Sequence, residues 1–252
     1  EKGDEAKISQ MTFTNFNCTL LSIRSFSKFS MTQCTLINNE MKNGLGLIIA
    51  SHTSLKIRHS TFSQNFVIGS NCIESSQSQV YFKNLNIKDN HILDKYHHFF
   101  YFINSIIECK RVYLSHFYSP YSSIFSCDYR TYFTFVDSKF SFNVASQLFS
   151  CDGIINFQFH STSFHTNTGQ IMKATSINPT VLFQYCEIRN NVVPDDGSMF
   201  DLYGGNFKFD DPVVIINNQA DCFIDFHNSM TLLSITMATV NLNTFSGGFV
   251  RN

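Results

Sequence analysis

Short stretches of strict alternation open one segment after another: Phe29-x-Met31, Leu55-x-Ile57, Val80-x-Phe82, Phe133-x-Phe135, Phe157-x-Phe159, Val181-x-Phe183 and Phe207-x-Phe209. An apolar period of two, rich in aromatic and β-branched side chains, predicts strands with one buried face. A second apolar run follows in each segment, as in Leu47-Ile48-Ile49, Cys72-Ile73, Ile124-Phe125, Leu148-Phe149 and Cys222-Phe223-Ile224. Polar clusters such as Ser75-Ser76-Gln77-Ser78 separate the runs, and no segment carries a convincing helical period.

Between the two runs an asparagine recurs, at Asn39, Asn65, Asn90, Asn143, Asn167, Asn191, Asn217 and Asn241. The intervals are 26, 25, 53, 24, 24, 26 and 24 residues, and Phe117 stands in the vacant place of the double interval. Each unit reads as an apolar anchor, a small or polar residue at +3, an apolar residue at +5 and Asn at +8. Phe159, Thr162, Phe164 and Asn167 show the pattern in full. A repeat of this length implies a stacked array. Two or three short strands per repeat and no helix predict an all-β parallel β-helix (solenoid) of about ten turns, with residues 1–252 forming a single domain. Successive turns lie about 4.8 Å apart, so the rod would be roughly 50 Å long. Phe135, Phe159, Phe183 and Phe209 are expected to stack inside it. The asparagines are expected to form a structural ladder, because each amide offers two donors and an acceptor to buried turns that no strand can reach.

The strings Phe62-Ser63-Gln64-Asn65, Phe140-Ser141-Phe142-Asn143 and Phe164-His165-Thr166-Asn167 resemble the FxxN repeats of polymorphic outer membrane proteins, a type that includes protist surface proteins with such repeats. The resemblance implies a right-handed parallel β-helix at the cell surface or outside the cell. Of the companion Gly-Gly-Ala-Ile motif this chain has only partial echoes, Gly204-Gly205 and Gly247-Gly248.

Composition narrows the function classes. A net charge of −1 with 15% charged residues gives no overall electrostatic case for nucleic acid or an anionic membrane. No apolar run is long enough for membrane insertion by this segment, and the chain reads as a segment of a longer protein. Its eight cysteines form no CxxC pair, which argues against zinc ribbons and redox dithiols. Most occupy apolar places in the repeat and are expected to be core hydrophobes. Cys127 and Cys151 end the matching strings Ile124-Phe125-Ser126-Cys127 and Leu148-Phe149-Ser150-Cys151; one rung apart, they are candidates for a disulfide. Asn17-Cys18-Thr19 is a glycosylation sequon, with Asn17 the acceptor. The nine histidines are dispersed, so no metal site and no cofactor are expected.

Parallel β-helices include polysaccharide lyases and hydrolases, which need converging carboxylates or a clustered acid–base set. The acidic pairs here are Asp195-Asp196 and Asp210-Asp211, with Arg189 and Lys208 in the same region. Asp201 adds to a weak case for calcium. No recognisable catalytic constellation emerges, so catalytic residues are expected to be absent. The chain instead reads as a non-catalytic adhesion or structural scaffold that presents loops to a protein or glycan partner. The alternatives are a drifted polysaccharide lyase or hydrolase and a structural component of a large intracellular assembly. Seven of the ten tyrosines fall between residues 91 and 132. Two post-Asn loops in adjacent turns hold the candidate binding residues Tyr96, His97, His98, Tyr118 and Tyr121, beside the ladder lapse at Phe117. Tyrosine joins a stacking face to a polar tip, which suits sugar and protein contacts.

Overall fold

The computed structural model describes residues 5–25, 28–42, 46–175, 179–195, 197–228 and 231–251. Every regular element among them is a β-strand, and every pairing is parallel, each strand lying on its counterpart one coil away. The result is a parallel β-solenoid with three faces. A first face holds the anchor strands, such as Ser54–Arg58, Thr131–Val136 and Ile155–His160. A second holds the short runs before the asparagine, such as Thr61–Ser63 and Lys139–Ser141. A third follows it, from Leu21–Arg24 through ten stacked strands to Thr244–Arg251.

Register places like on like. Phe135, Phe159, Phe183 and Phe209 are in-register neighbours on the first face. Phe135 and Phe159 stack at 5.4 Å between ring centroids, Phe159 and Phe183 at 4.9 Å, while Phe183 and Phe209 are tilted at 5.5 Å. Parallel columns run through Phe133–Phe157 at 4.6 Å and Phe140–Phe164 at 5.1 Å. A ring pair of this kind adds about 0.5–1.5 kcal/mol beyond its buried area.

Three corners per coil turn the chain, and each has a fixed backbone solution. The corner after the anchor puts Gln10, Gln33, His59, Asn84, Arg111, Asp137, Ser161 and Tyr185 at positive φ. The corner before the third face does the same with Asn38, Gln64, Asp89, His116, Phe142, Thr166, Asn190 and Asn217, and a third corner with His52, Gln77, Asn104 and Tyr129. A left-handed non-glycine residue costs about 1–2 kcal/mol, so each corner must recover that energy. It does so through a buried side chain next to the strained residue.

At the second corner this side chain is the asparagine. Asn167 Nδ2 donates to the Phe140 carbonyl at 3.0 Å and to Asn191 Oδ1 at 2.9 Å. Its own Oδ1 accepts from the Asn143 amide at 3.2 Å and from Asn143 Nδ2 at 2.8 Å. Asn39, Asn65, Asn143 and Asn191 repeat this pattern of Nδ2 bonds. The other two corners use hydroxyls: the Cys34 amide donates to Ser60 Oγ, the Val112 amide to Ser138 Oγ and the Ser78 amide to Ser105 Oγ.

The last two rungs correct the sequence reading. Asn217 and Asn241 are exposed, and the buried ladder residues are Asn218 and Asn243, which is half-buried. Asn191 Nδ2 donates to Asn218 Oδ1 at 3.0 Å, and Asn218 Nδ2 to Asn243 Oδ1 at 2.9 Å. The cause lies at the Asp210-Asp211-Pro212 corner. There Phe209 pairs with Phe183 while Ile215 pairs with Ile188, so this coil takes one residue more than the coil before it. The +8 spacing before Asn241 implies Leu233 as the final anchor, but the anchor is Ile235, which pairs with Phe209 and lies eight residues before Asn243. Asn217 instead takes the left-handed place at φ 54°, where its Nδ2 donates to Asn190 Oδ1 at 2.9 Å on the surface.

Asn167→Ala strands several buried donors and acceptors, each worth about 1–3 kcal/mol when left unpaired. It should lower unfolding free energy by about 3–5 kcal/mol, and Asn218→Ala should do nearly as much. Asn217→Ala should cost no more than about 1–2 kcal/mol, the strain of a left-handed alanine. Urea titrations of the three variants check the order.

Candidate recognition surface

The tyrosine-rich region begins where the ladder lapses. Phe117 is fully buried and packs edge-on against Phe99 at 4.9 Å. Its amide still donates to Asn143 Oδ1 at 3.1 Å, but its side chain offers no acceptor to the rung below. Asn90 therefore turns its Nδ2 to the carbonyls of Phe62 and of Lys88 in its own coil. Asn243 behaves in the same way, donating to Ile215 and Asn241. At Phe117 the side-chain ladder is interrupted, to resume at Asn143, while the coil stack continues.

Directly outside that lapse, the residue following each rung projects outward. Phe66, His91 and Tyr118 are in register there. Phe66 and His91 stack with ring centroids 5.0 Å apart and planes nearly parallel, and the His91 ring lies 6.1 Å from that of Tyr118. Sequence reasoning named Tyr118 but missed Phe66 and His91. The signal was present, since each directly follows a ladder position.

The two predicted loops are neighbours, as their places in adjacent coils required, but only one is a loop. Residues 93–98 leave the strand His91–Ile92 and return at Phe100–Ile103. Tyr118 and Tyr121 belong instead to the continuous strand Tyr118–Asp128, which absorbs its extra residues as a bulge between Ser119 and Ser123. Ser119 Oγ donates across that bulge to the Ser122 carbonyl at 2.9 Å. The bulge aims Tyr121 into solvent at 70% exposure, and Tyr96 at the loop tip reaches 73%. Lys95 covers one face of the Tyr96 ring at 4.8 Å. Tyr101 is not available to a partner in this way, because its hydroxyl donates to Asp128 Oδ2 at 2.5 Å.

The adjacent histidines point apart and hold the loop. His97 Nδ1 lies 2.6 Å from Asp94 Oδ2, and Asp94 Oδ1 also accepts from the Tyr96 and His97 amides. Burial pushes the Asp94 carboxyl up, but the amide donors and the His97 ring outweigh it and hold the group below its ordinary pKa. His98 turns inward: its Nδ1 lies 2.7 Å from Ser123 Oγ and 3.1 Å from Ser122 Oγ, and its amide donates to Asn71 Oδ1 at 2.8 Å. Ser122 Oγ donates to the His97 carbonyl at 2.6 Å. His98 is therefore held between coils, and the candidate surface comprises Phe66, His91, Tyr96, Tyr118 and Tyr121, with His97 at its edge.

The remaining candidates are scattered. Cys127 and Cys151 are direct register partners, as expected, but both thiols are free and buried. In-register parallel strands send both Cβ vectors inward side by side, whereas a disulfide needs them to converge. Burial and the neighbouring thiol raise the Cys127 pKa. Asn17 is exposed, just past the half-buried Phe16. Asp195 sits on the corner past the Asn191 rung, and Asp210 and Asp211 sit on the corner after Phe209, so the structure does not bring these acids together. Asp196 lies outside the described residues. Arg189 is paired with Glu187, and Asp201 with His227 at 2.6 Å and Lys173 at 3.5 Å. Among the described residues no group of three or more His, Cys, Asp or Glu is placed to hold a metal ion.

No family model matches the chain, and no curated protein matches it. One solved structure with some likeness is that of QnrB1, a plasmid-mediated fluoroquinolone resistance protein. It shares 14% sequence identity over 71% of this chain and 83% of its own, with a TM-score of 0.26. Similarity at that level says nothing of what this chain does.

Burial holds the His98 imidazole below its ordinary pKa of 6.5, although the Ser123 carbonyl opposes the shift. A depressed histidine stabilises the fold fully above its unfolded pKa, and that contribution is lost as pH falls through the folded value. Between pH 7.5 and pH 5, hydrogen-exchange protection at the His98 amide should drop while that of Phe149 holds, after correction for intrinsic rates. His98→Gln should abolish the pH dependence. Equal protection of His98 at both pH values would contradict its hold between coils.

Proposed function

We propose that this chain is a non-catalytic β-solenoid scaffold whose role is recognition. A rigid rod of the polymorphic outer membrane protein type, working at the cell surface or outside the cell, would carry the aromatic surface to a protein or glycan partner. The observation that carries this reading is the aromatic strip in which half-buried Phe66 and His91 run into exposed Tyr118 and Tyr121, with exposed Tyr96 on the neighbouring loop. Exposed aromatic rings held by strands lose little entropy on binding, and they offer both stacking faces and polar tips. Their support is rigid: the bulge that aims Tyr121 is closed by Ser119, and the loop bearing Tyr96 is anchored by Asp94 and His98. Asp195 lies on a different corner from Asp210 and Asp211, and the stacked acids Asp201 and Asp225 are engaged by Lys173, His227 and Arg251. Both facts support a non-catalytic role, since hydrolysis of a glycosidic bond needs two available carboxyl groups across one sugar.

The test is binding to a glycan array and to intact cells by the wild-type chain and by a variant carrying Tyr96→Ser, Tyr118→Ser and Tyr121→Ser. These side chains are largely solvent-exposed, so the melting temperature should move by no more than about 2–4 °C. Binding should fall at least about tenfold, the scale of a lost aromatic anchor. Binding that survives the triple substitution would remove the aromatic surface from the account.

A further inference from the structure

The near-zero net charge conceals a segregation that only the coil register exposes. On the first face Arg58, Lys83 and Lys110 are direct register partners on three adjacent coils. Lys56 lies two residues from Arg58 on the same outward side, and Arg111 follows Lys110 at the corner. Parallel coils repeat about every 4.8 Å, so the three cations form a row roughly 10 Å long. Stacking like charges in this way is unfavourable unless something offsets it. Among the described residues, none of these cations lies within ion-pair distance of a carboxylate. The Arg58 guanidinium rests over the Tyr81 ring at 5.3 Å, and its Nε is buried without a hydrogen-bond partner. Lys56, Arg58, Gln79, Tyr81, Ile106 and Glu108 line a shallow depression across the same three coils. By contrast, two cations of the third face are committed: Lys173 to Asp201, and Arg251 to Asp221 and Asp225.

We propose that this basic row is a binding surface for a linear acidic polysaccharide, distinct from the aromatic surface of the recognition reading. Charge complementarity names the class. One cation per coil matches a polymer that carries its charges singly along a chain of sugar rings. The exposed ring of Tyr113, just past the corner from Lys110, offers a face to sugar C–H groups. Duplex nucleic acid is the poorer fit, since it carries a charge about every 1.7 Å of axis, far denser than the row.

Binding of the whole chain to immobilised heparin and to polygalacturonate would be measured at low and high salt, with neutral dextran and single- and double-stranded DNA as comparators. Both acidic polysaccharides should bind, weakening as salt rises. Combining Arg58→Gln, Lys83→Gln and Lys110→Gln should weaken binding about tenfold, while the triple tyrosine variant should bind as the wild type does. That contrast separates failure of the basic row from failure of the aromatic surface. If the triple glutamine variant does not fold, Lys110→Glu alone, at an exposed position, should still weaken binding several-fold. The proposal is overturned by absence of polysaccharide binding, by binding that these substitutions leave unchanged, by equal binding of dextran, or by tighter binding of DNA.

Discussion

A single-chain solenoid has one interior and many corners, and every corner turns backbone amides and carbonyls toward that interior. Water cannot reach them, and the strands on either side are already paired. The rest of the structure depends on meeting this demand with side chains. Asparagine does it at the second corner because one amide group can accept from the rung below, donate to the rung above and donate to a carbonyl. Serine, threonine and cysteine do it at the other corners, where one acceptor and one donor suffice. Left-handed residues beside them set the turn, and the ladders hold that strain in place. The phenylalanine columns then fill what the corners enclose.

How far this could be read from sequence depended on whether a residue's neighbours were set by offset or by register. Asn65, Asn143 and Asn167 were legible because their coils keep a constant anchor-to-Asn distance. Asn217 was misplaced because one extra residue at Asp210-Asp211-Pro212 shifts the following rung, and adjacent asparagines at 217 and 218 hid the shift. Asn241 was misplaced because the last anchor is Ile235, two residues beyond the Leu233 that the +8 spacing implies. The stacking of Cys127 on Cys151 was legible for the same reason as the early rungs, but side-by-side Cβ directions were not. Tyr118 and Tyr121 were found by composition, yet their place on a bulged strand required the pairing with Val144–Asp152. The inward turn of His98 needed Ser122 and Ser123 from the next coil, about 25 residues away. The basic row escaped for the opposite reason: averaging charge over the chain erased a pattern that exists only across coils.

The same division explains how a frame this constrained is free to carry function. Inward positions answer to the corners and the columns, so they are nearly fixed in kind. Outward positions answer only to solvent and to their neighbours one coil away. The solenoid therefore converts residues about 25 apart into continuous strips, aromatic along the edge of the third face and basic along the first. The lapse at Phe117 couples the two levels, since the rung that gives up its asparagine lies under the bulge that projects Tyr121. The ladder marks the architecture, and its interruption marks the surface where the chain departs from pure repetition.

The central claim, that buried asparagine amides close the corners in the register described, is tested most directly by side-chain amide NMR of the ¹⁵N-labelled chain after transfer to D₂O. The Nδ2 resonances of Asn65, Asn143, Asn167, Asn191 and Asn218 should persist with slowed exchange, while those of the exposed Asn190, Asn217 and Asn241 should vanish far sooner. Persistence of Asn217 with loss of Asn218, or uniform rapid loss of all of them, would contradict the account.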